Sequence, residues 1–181
     1  MKKNHVIKFD SKERILKTAR SYVGSVESFL DESDRAIPLL IKAIKLADRD
    51  FKHEIMLLLG SFAKEAVVWP LYDLMTDSSE SEEIRHDTAI QLSVIGSRLK
   101  NFQPLVDRLL QEIGSTDPQR RLHATFAIGW EGNFQAATSL IERLFDNDSE
   151  VQQTAGNALC NLRDDRTLDL LLDRLAHGPF E

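Results

Sequence analysis

Two histidines in this 181-residue chain are each followed directly by an acid: His53 and Glu54 in "FKHEIMLLLG", and His86 and Asp87 in "IRHDTAIQLSVIG", 33 residues later. Imidazole and carboxylate both bind metals, so these four residues are candidate ligands. Adjacent side chains on a helix diverge by about 100°, so one His-acid pair cannot chelate tightly by itself. The first turn of a helix also favours acids through the dipole and polar groups through its incomplete backbone bonding, without any metal. Helix starts copied by repetition are therefore the favoured explanation, and no catalytic residue and no metal site are assigned.

The repetition has its own signature. "LVDRLL" from Leu105, "LIERLF" from Leu140 and "LLDRLA" from Leu171 share the order apolar, apolar, acid, Arg, Leu. "LYDLMT" from Leu71 is a looser copy, and "LLIKAI" from Leu39 keeps only the apolar spacing. The intervals between these starts are 32, 34, 35 and 31 residues, the period of a solenoid of stacked supersecondary units. A second helical series runs upstream in the same register: Ala89 and Leu92, Ala124 and Ala127, then Ala155, Ala158, Leu159 and Leu162 in "VQQTAGNALCNL". The expected fold class is all-α, a right-handed α-α superhelix of about four to five helical hairpins. No stretch sustains the period-two alternation of a strand.

Punctuation agrees with this pattern. Asp50, Asp117 before Pro118, and Asp148 or Ser149 are expected N-caps of first helices, and Gly114 ends the helix before Pro118. Short links "AKEA", "RLKN", "EGN" and "RDDR" fall within the hairpins. Residues 1–34 are expected to be a basic segment with a capping helix, apolar from Ile15 to Leu30, and residues 35–181 one continuous array. The last helix carries Leu168, Leu170, Leu171, Leu172 and Leu175 without a polar cap before "HGPFE". Self-association through that end, or a place in a longer array, is the expectation.

Composition narrows the function. Hydrophobic residues make up 42% of the chain and the net charge is −6, yet residues 1–20 hold seven Lys and Arg against Asp10 and Glu13. An acidic body opposes nucleic acid binding, which draws its affinity from neutralised phosphates. No apolar run reaches the roughly 20 residues of a membrane span. The N-terminus has no signal-peptide core and Cys160 has no partner, so the cytoplasm is the expected compartment. There is no phosphate-binding loop, dinucleotide fingerprint or nucleophile elbow, and Cys160 reads as a small core residue.

The aligned repeats resemble the HEAT-like repeats named after phycobilin lyase subunits. "DNDSEVQQTAGNALCNLRDDRTLDLLLDRLAH" fits that pattern nearly throughout and "TDPQRRLHATFAIGWEGNFQAATSLIERLFDND" fits well, and the resemblance spans about residues 35–178. Within the family, "KHEIMLLLG" and "RHDTAIQLSVIG" look most like deoxyhypusine hydroxylases, whose His-Glu pairs bind two irons. That resemblance implies His53, Glu54, His86 and Asp87 as an iron half-site, completed by a second copy or by further repeats; the hydroxylases use four pairs. Repeat register puts Arg121 and Gln152 where His86 sits, so His123 is expected to face elsewhere. Bilin handling is implied by the lyase relatives alone.

Protein binding is the leading function. If second helices line the concave face, as in the family, Asp73, Asp107, Arg108, Glu142, Arg143, Asp173 and Arg174 form polar ladders along it, where solenoids grip extended partners. The same residues could instead pair across repeats. The long turns gather Asp48, Asp50, Asp77, Glu80, Glu82, Glu83, Asp117, Asp146, Asp148 and Glu150 on one edge, mostly as caps. Trp69, before Pro70, is expected in the core; Trp130, between Gly129 and Gly132, is expected as an exposed anchor.

Overall fold

The computed structural model describes residues 11–99 and 102–178. Most of the basic N-terminal arm, part of the "RLKN" link and the "PFE" end lie outside them. The described residues contain eleven α-helices, one 3-10 turn and no strand. The chain divides into two compact units, residues 1–59 and 60–181. The 34/35 boundary expected from sequence falls inside a helix of the first unit.

In the first unit, α1 (Lys12–Val23) and α2 (Val26–Asp31) stand in place of the single capping helix, with an apolar stripe from Ile15 to Leu30, expected from sequence. The break is local chemistry: Ser25 is extended and its hydroxyl accepts from the Ser28 N–H, starting a new helix. Helix α1 packs on α3 (Ser33–Ile44), burying Ala19 and Tyr22 from one and Ala36, Ile37, Leu40, Ala43 and Ile44 from the other. Helix α4 (Arg49–Ser61) follows. Its N-terminal cap is Asp48, whose carboxylate accepts from the Phe51 N–H at 3.0 Å, and not Asp50, which lies one residue inside the helix.

The second unit holds α5 (Glu65–Thr76), α6 (Glu82–Arg98), α7 (Gln103–Ile113), α8 (Pro118–Ile128), α9 (Ala137–Arg143), α10 (Ser149–Leu162) and α11 (Arg166–His177). First helices stack on first helices, α6 on α8 and α8 on α10. Each second helix packs against a first helix: α5 on α6, α7 on α8 and α9 on α10. Leu71, Leu105 and Leu140 are fully buried, and so are Ala89, Ala124, Ala127 and Ala155. Both series of the repeat therefore face the core. In α11 the register continues but the cover does not: Val106 and Ile141 are 0% exposed, whereas their counterpart Leu172 is 55% exposed.

The turns repeat a device at the third residue past each first-helix start. Arg85 donates from Nε to the Met75 carbonyl, Arg121 from Nη1 to the Ser115 and Thr116 carbonyls, and Gln152 from Nε2 to the Asp146 carbonyl. Each satisfies a carbonyl at the end of the preceding second helix (Met75) or in the turn just beyond it (Ser115, Thr116 and Asp146), where regular helical bonding has stopped. Arg121 and Gln152 thus correspond to Arg85, one residue earlier than the His86 register read from sequence. Asp117 and Asp148 cap α8 and α10 as expected, accepting from Gln119 and from Glu150 and Val151. Short links turn on left-handed residues: Ala63, Gly132 and Arg163 have φ of 34°, 80° and 49°.

Candidate functional site on the second-helix face

Helix α5 buries Val67, Val68, Leu71, Tyr72, Leu74 and Met75, which turns Trp69 and Asp73 to its outer side. Helix α7 buries Leu105, Val106, Leu109 and Ile113, which turns out Pro104, Asp107, Arg108 and Gln111. These two stripes, with the edge of Tyr72, line an open groove of about 500 Å³. The apolar phase of each helix therefore dictates which polar side chains meet across it.

Trp69 forms the aromatic wall. It is 38% exposed, its ring edge-on to Tyr72 at 5.9 Å between centroids and tilted to Phe102 at 6.4 Å. Tyr72 is fixed in turn by donating its hydroxyl to Glu112 Oε1 at 2.8 Å; burial and that carboxylate push its pKa up to about 12, so it stays a neutral donor. Arg120 holds the other side of Glu112, Nε to Oε2 at 2.9 Å. Asp107 accepts from Gln103 Nε2 at 2.7 Å, and Arg108 reaches Gln111 Oε1 at 3.4 Å. The Asp73 carboxylate makes no hydrogen bond or ion pair among the described residues. Two carboxylates and one guanidinium thus face the groove beside an exposed indole.

The rest of the expected ladder is arranged differently. Arg174 donates to Glu142 through Nε at 2.7 Å and Nη2 at 3.3 Å, and lies 4.4 Å from the Phe145 ring centroid. Arg143 turns back to Asp146, and Asp173 pairs with His177 one turn later on its own helix. At α9 and α11 the acid-Arg steps are spent on partners within the fold, one of them the Glu142–Arg174 pair, and only Asp73, Asp107 and Arg108 are gathered in an open groove.

Both tryptophan expectations are reversed. Trp130 is 3% exposed, because Gly96 leaves a space on α6 that the indole fills; a Cβ at residue 96 would lie 2.7 Å from Trp130 Cζ3. Trp130 is therefore a core residue and not a partner anchor. Trp69 is the exposed one, and its position at i with Tyr72 at i+3 and Asp73 at i+4 was the sequence signal for a shared stripe. Cys160 is also exposed, not a core residue.

His53 and Glu54 are exposed on α4; His86 is exposed and Asp87 half-buried on α6. No group of three or more His, Cys, Asp or Glu among the described residues is arranged to hold a metal ion. His123 does not face away from His86: their ring centroids are 6.3 Å apart, and Phe126 meets His86 edge-on at 5.1 Å. His123 is buried, and desolvation, with Arg85 and His86 nearby, lowers its pKa to about 4.

Helical hairpins repeated about every third of a hundred residues, with a groove between second helices, define an all-α helical-repeat protein. The family model described as HEAT repeats matches residues 106–181. Among solved structures, a designed armadillo repeat protein in complex with the peptide (KR)4 is similar in fold, at 17% identity and a TM-score of 0.53, over 91% of this chain and 80% of that one. No curated protein matches the chain. No described helix is long and apolar enough to cross a membrane.

Proposed function

We propose that this protein is a non-catalytic scaffold that binds an extended, basic segment of a protein partner along the second-helix face of residues 60–181. The observation that carries the reading is the pairing of the exposed Trp69 indole with the Asp73 and Asp107 carboxylates in one groove. An indole face attracts a cation stacked on it, and two carboxylates within the same groove add charge-assisted hydrogen bonds to a Lys or Arg side chain. Tyr72, held neutral by burial and by its bond to Glu112, adds a wall already fixed before binding, which lowers the ordering cost. The designed armadillo repeat protein is in complex with a Lys-Arg peptide; that is its own property, and the groove chemistry supports the comparable reading here. The iron-site and bilin readings rest on resemblance alone.

Titration of a fluorescein-labelled Lys-Arg peptide, read by polarisation and by Trp69 emission, tests the proposal. Binding weakened about tenfold or more by Asp73→Lys with Asp107→Lys, and reduced by salt, is the expected result. Equal binding by the charge-reversed variant would overturn it. Exposed Leu168, Leu172 and Leu175 on α11 also suit stacking against another helical layer, and a concentration-dependent mass in light scattering is the expected sign of self-association.

A further inference from the structure

A second groove, in the first unit, has the opposite charge. It lies between α1 and α3, holds about 340 Å³ and is lined by Arg14 and Thr18 from α1, Arg35 and Lys42 from α3, and a floor of Ile15, Pro38 and Leu39. No acid lines it. The three cations are exposed, and none has a carboxylate partner among the described residues. Arg20, on the same α1, shows the contrast: its guanidinium sits 3.7 Å from the Asp48 carboxylate and 4.2 Å from the Phe51 ring centroid. Glu13, beside Arg14 in sequence, does not line the groove, and the acids nearest Arg35, namely Asp31, Glu32 and Asp34, share a second cleft with it, where Glu32 accepts the Tyr22 hydroxyl.

From this arrangement we infer that the α1–α3 groove is a docking site for an acidic protein segment that carries an apolar residue among its carboxylates. Arg35 and Lys42 are seven residues apart, so about 10 Å separates them along the helix. Arg14 faces them from the neighbouring helix. A segment lying in the groove therefore meets cations on both rims over two helical turns, while Ile15, Pro38 and Leu39 receive its apolar side chain. Arginine suits this task because its planar fork engages a carboxylate through two parallel donors. The apolar floor argues for a peptide over a free anion, which would gain nothing from it. Single-stranded nucleic acid would need aromatic platforms, and none lines the groove; a duplex, like a free anion, would leave the apolar floor of Ile15, Pro38 and Leu39 unused. The site stands apart from the basic-peptide groove proposed above and does not depend on it.

The test titrates the full chain at low salt with a fluorescein-labelled peptide of repeating Leu-Glu-Glu, alongside duplex DNA and phosphatidylserine vesicles. The expected result is saturable binding of the Leu-Glu-Glu peptide that weakens with salt. It should fall about tenfold or more in Arg35→Glu with Lys42→Glu and stay unchanged in Asp73→Lys with Asp107→Lys. Both variants alter exposed side chains, and an unchanged melting temperature will confirm that they fold. Absence of binding, binding undiminished in the Arg35 and Lys42 variant, or tighter DNA or vesicle binding lost in that variant would each overturn the inference. Loss confined to the Asp73 and Asp107 variant would place acidic peptides elsewhere and overturn it too.

Discussion

Arg121 grips Asp146 through two parallel bonds, Nη2 to Oδ1 at 2.8 Å and Nε to Oδ2 at 2.9 Å, with the carboxylate only 2% exposed. The same carboxylate accepts from Arg143 Nη1 and from the Asp148 N–H, so each oxygen has two donors. Burial pushes the Asp146 carboxyl up, but the Arg121 guanidinium and the Asp148 N–H outweigh it and hold the pKa below the ordinary value. The acid ties α8 to the turn after α9 and makes the register of that layer specific.

Replacing Asp146 by Asn leaves the partly buried Arg121 guanidinium without its counter-charge, which costs about 3 kcal/mol. Chemical denaturation will show the loss as a lower midpoint at unchanged slope. Because the folded-state pKa is depressed, this contribution is full above the unfolded carboxyl value near 4 and is lost as pH falls through the folded one. The Asn variant should therefore lose less stability than the parent between pH 4 and pH 2.

Gly96 is needed for the room it leaves. Its absent Cβ would lie within 2.8 Å of three carbons of the Trp130 ring. Gly96→Ala will force the indole out of its buried slot, an overpacking cost of about 1–3 kcal/mol. Trp130 emission should shift to longer wavelength. Gly96→Ala combined with Trp130→Leu should recover part of the loss, since the smaller side chain vacates the disputed space.

This pair also marks the limit of what the sequence discloses. The hairpin period was legible because apolar residues must recur on the buried face of each helix, and Leu71, Leu105 and Leu140 all obey it. Asp117 and Asp148 were legible because capping is local. Trp130 was not, since its burial depends on a glycine 34 residues earlier on another helix. Trp69 could have been placed by helical phase, as Val67, Val68 and Leu71 fix the buried side of α5; the proline that follows it obscures that phase. The row of acids was visible, but its division into the Glu142–Arg174 pair and the open Asp73 depends on which side chains meet between helices. The same holds for His123, one position past the structural counterpart of His86 in the repeat yet adjacent to His86 in space.

Cys160 provides a check on helical phase. Helix α10 buries Val151, Ala155, Ala158 and Leu162, and Cys160, two residues past Ala158, points about 200° away. The folded protein should react with a thiol reagent at the rate of an open thiol, and Cys160→Ser should change stability by less than about 0.5 kcal/mol. By contrast, Ala158 packs so closely on Gly129 that a Cβ added there would lie 2.4 Å from the Ala158 Cβ. Ala158→Leu drives a larger side chain into that contact and should cost about 1–3 kcal/mol.

His123 makes the seam between α6 and α8 sensitive to acid. His123 is 1% exposed, and neither ring nitrogen has a hydrogen-bond partner among the described residues. The charged groups near it are Arg85 and His86 from α6, which disfavour a second positive charge, and Asp117 at the start of α8, which opposes them weakly. An unfolded histidine takes up its proton near pH 6.5, whereas the folded one holds out to about pH 4. The unfolded state thus binds more protons across that window, and stability must fall as pH drops from 6.5 to 4. The loss attributable to this residue is up to about 3 kcal/mol. Replacement by Leu keeps the volume, removes two unsatisfied polar atoms and should raise the melting temperature at pH 7. The difference between the melting curves of parent and His123→Leu should widen steadily from pH 7 to pH 4.5. A constant difference across that range would mean that the buried ring is solvated or partnered as it titrates, and would remove the histidine as the origin of the acid sensitivity.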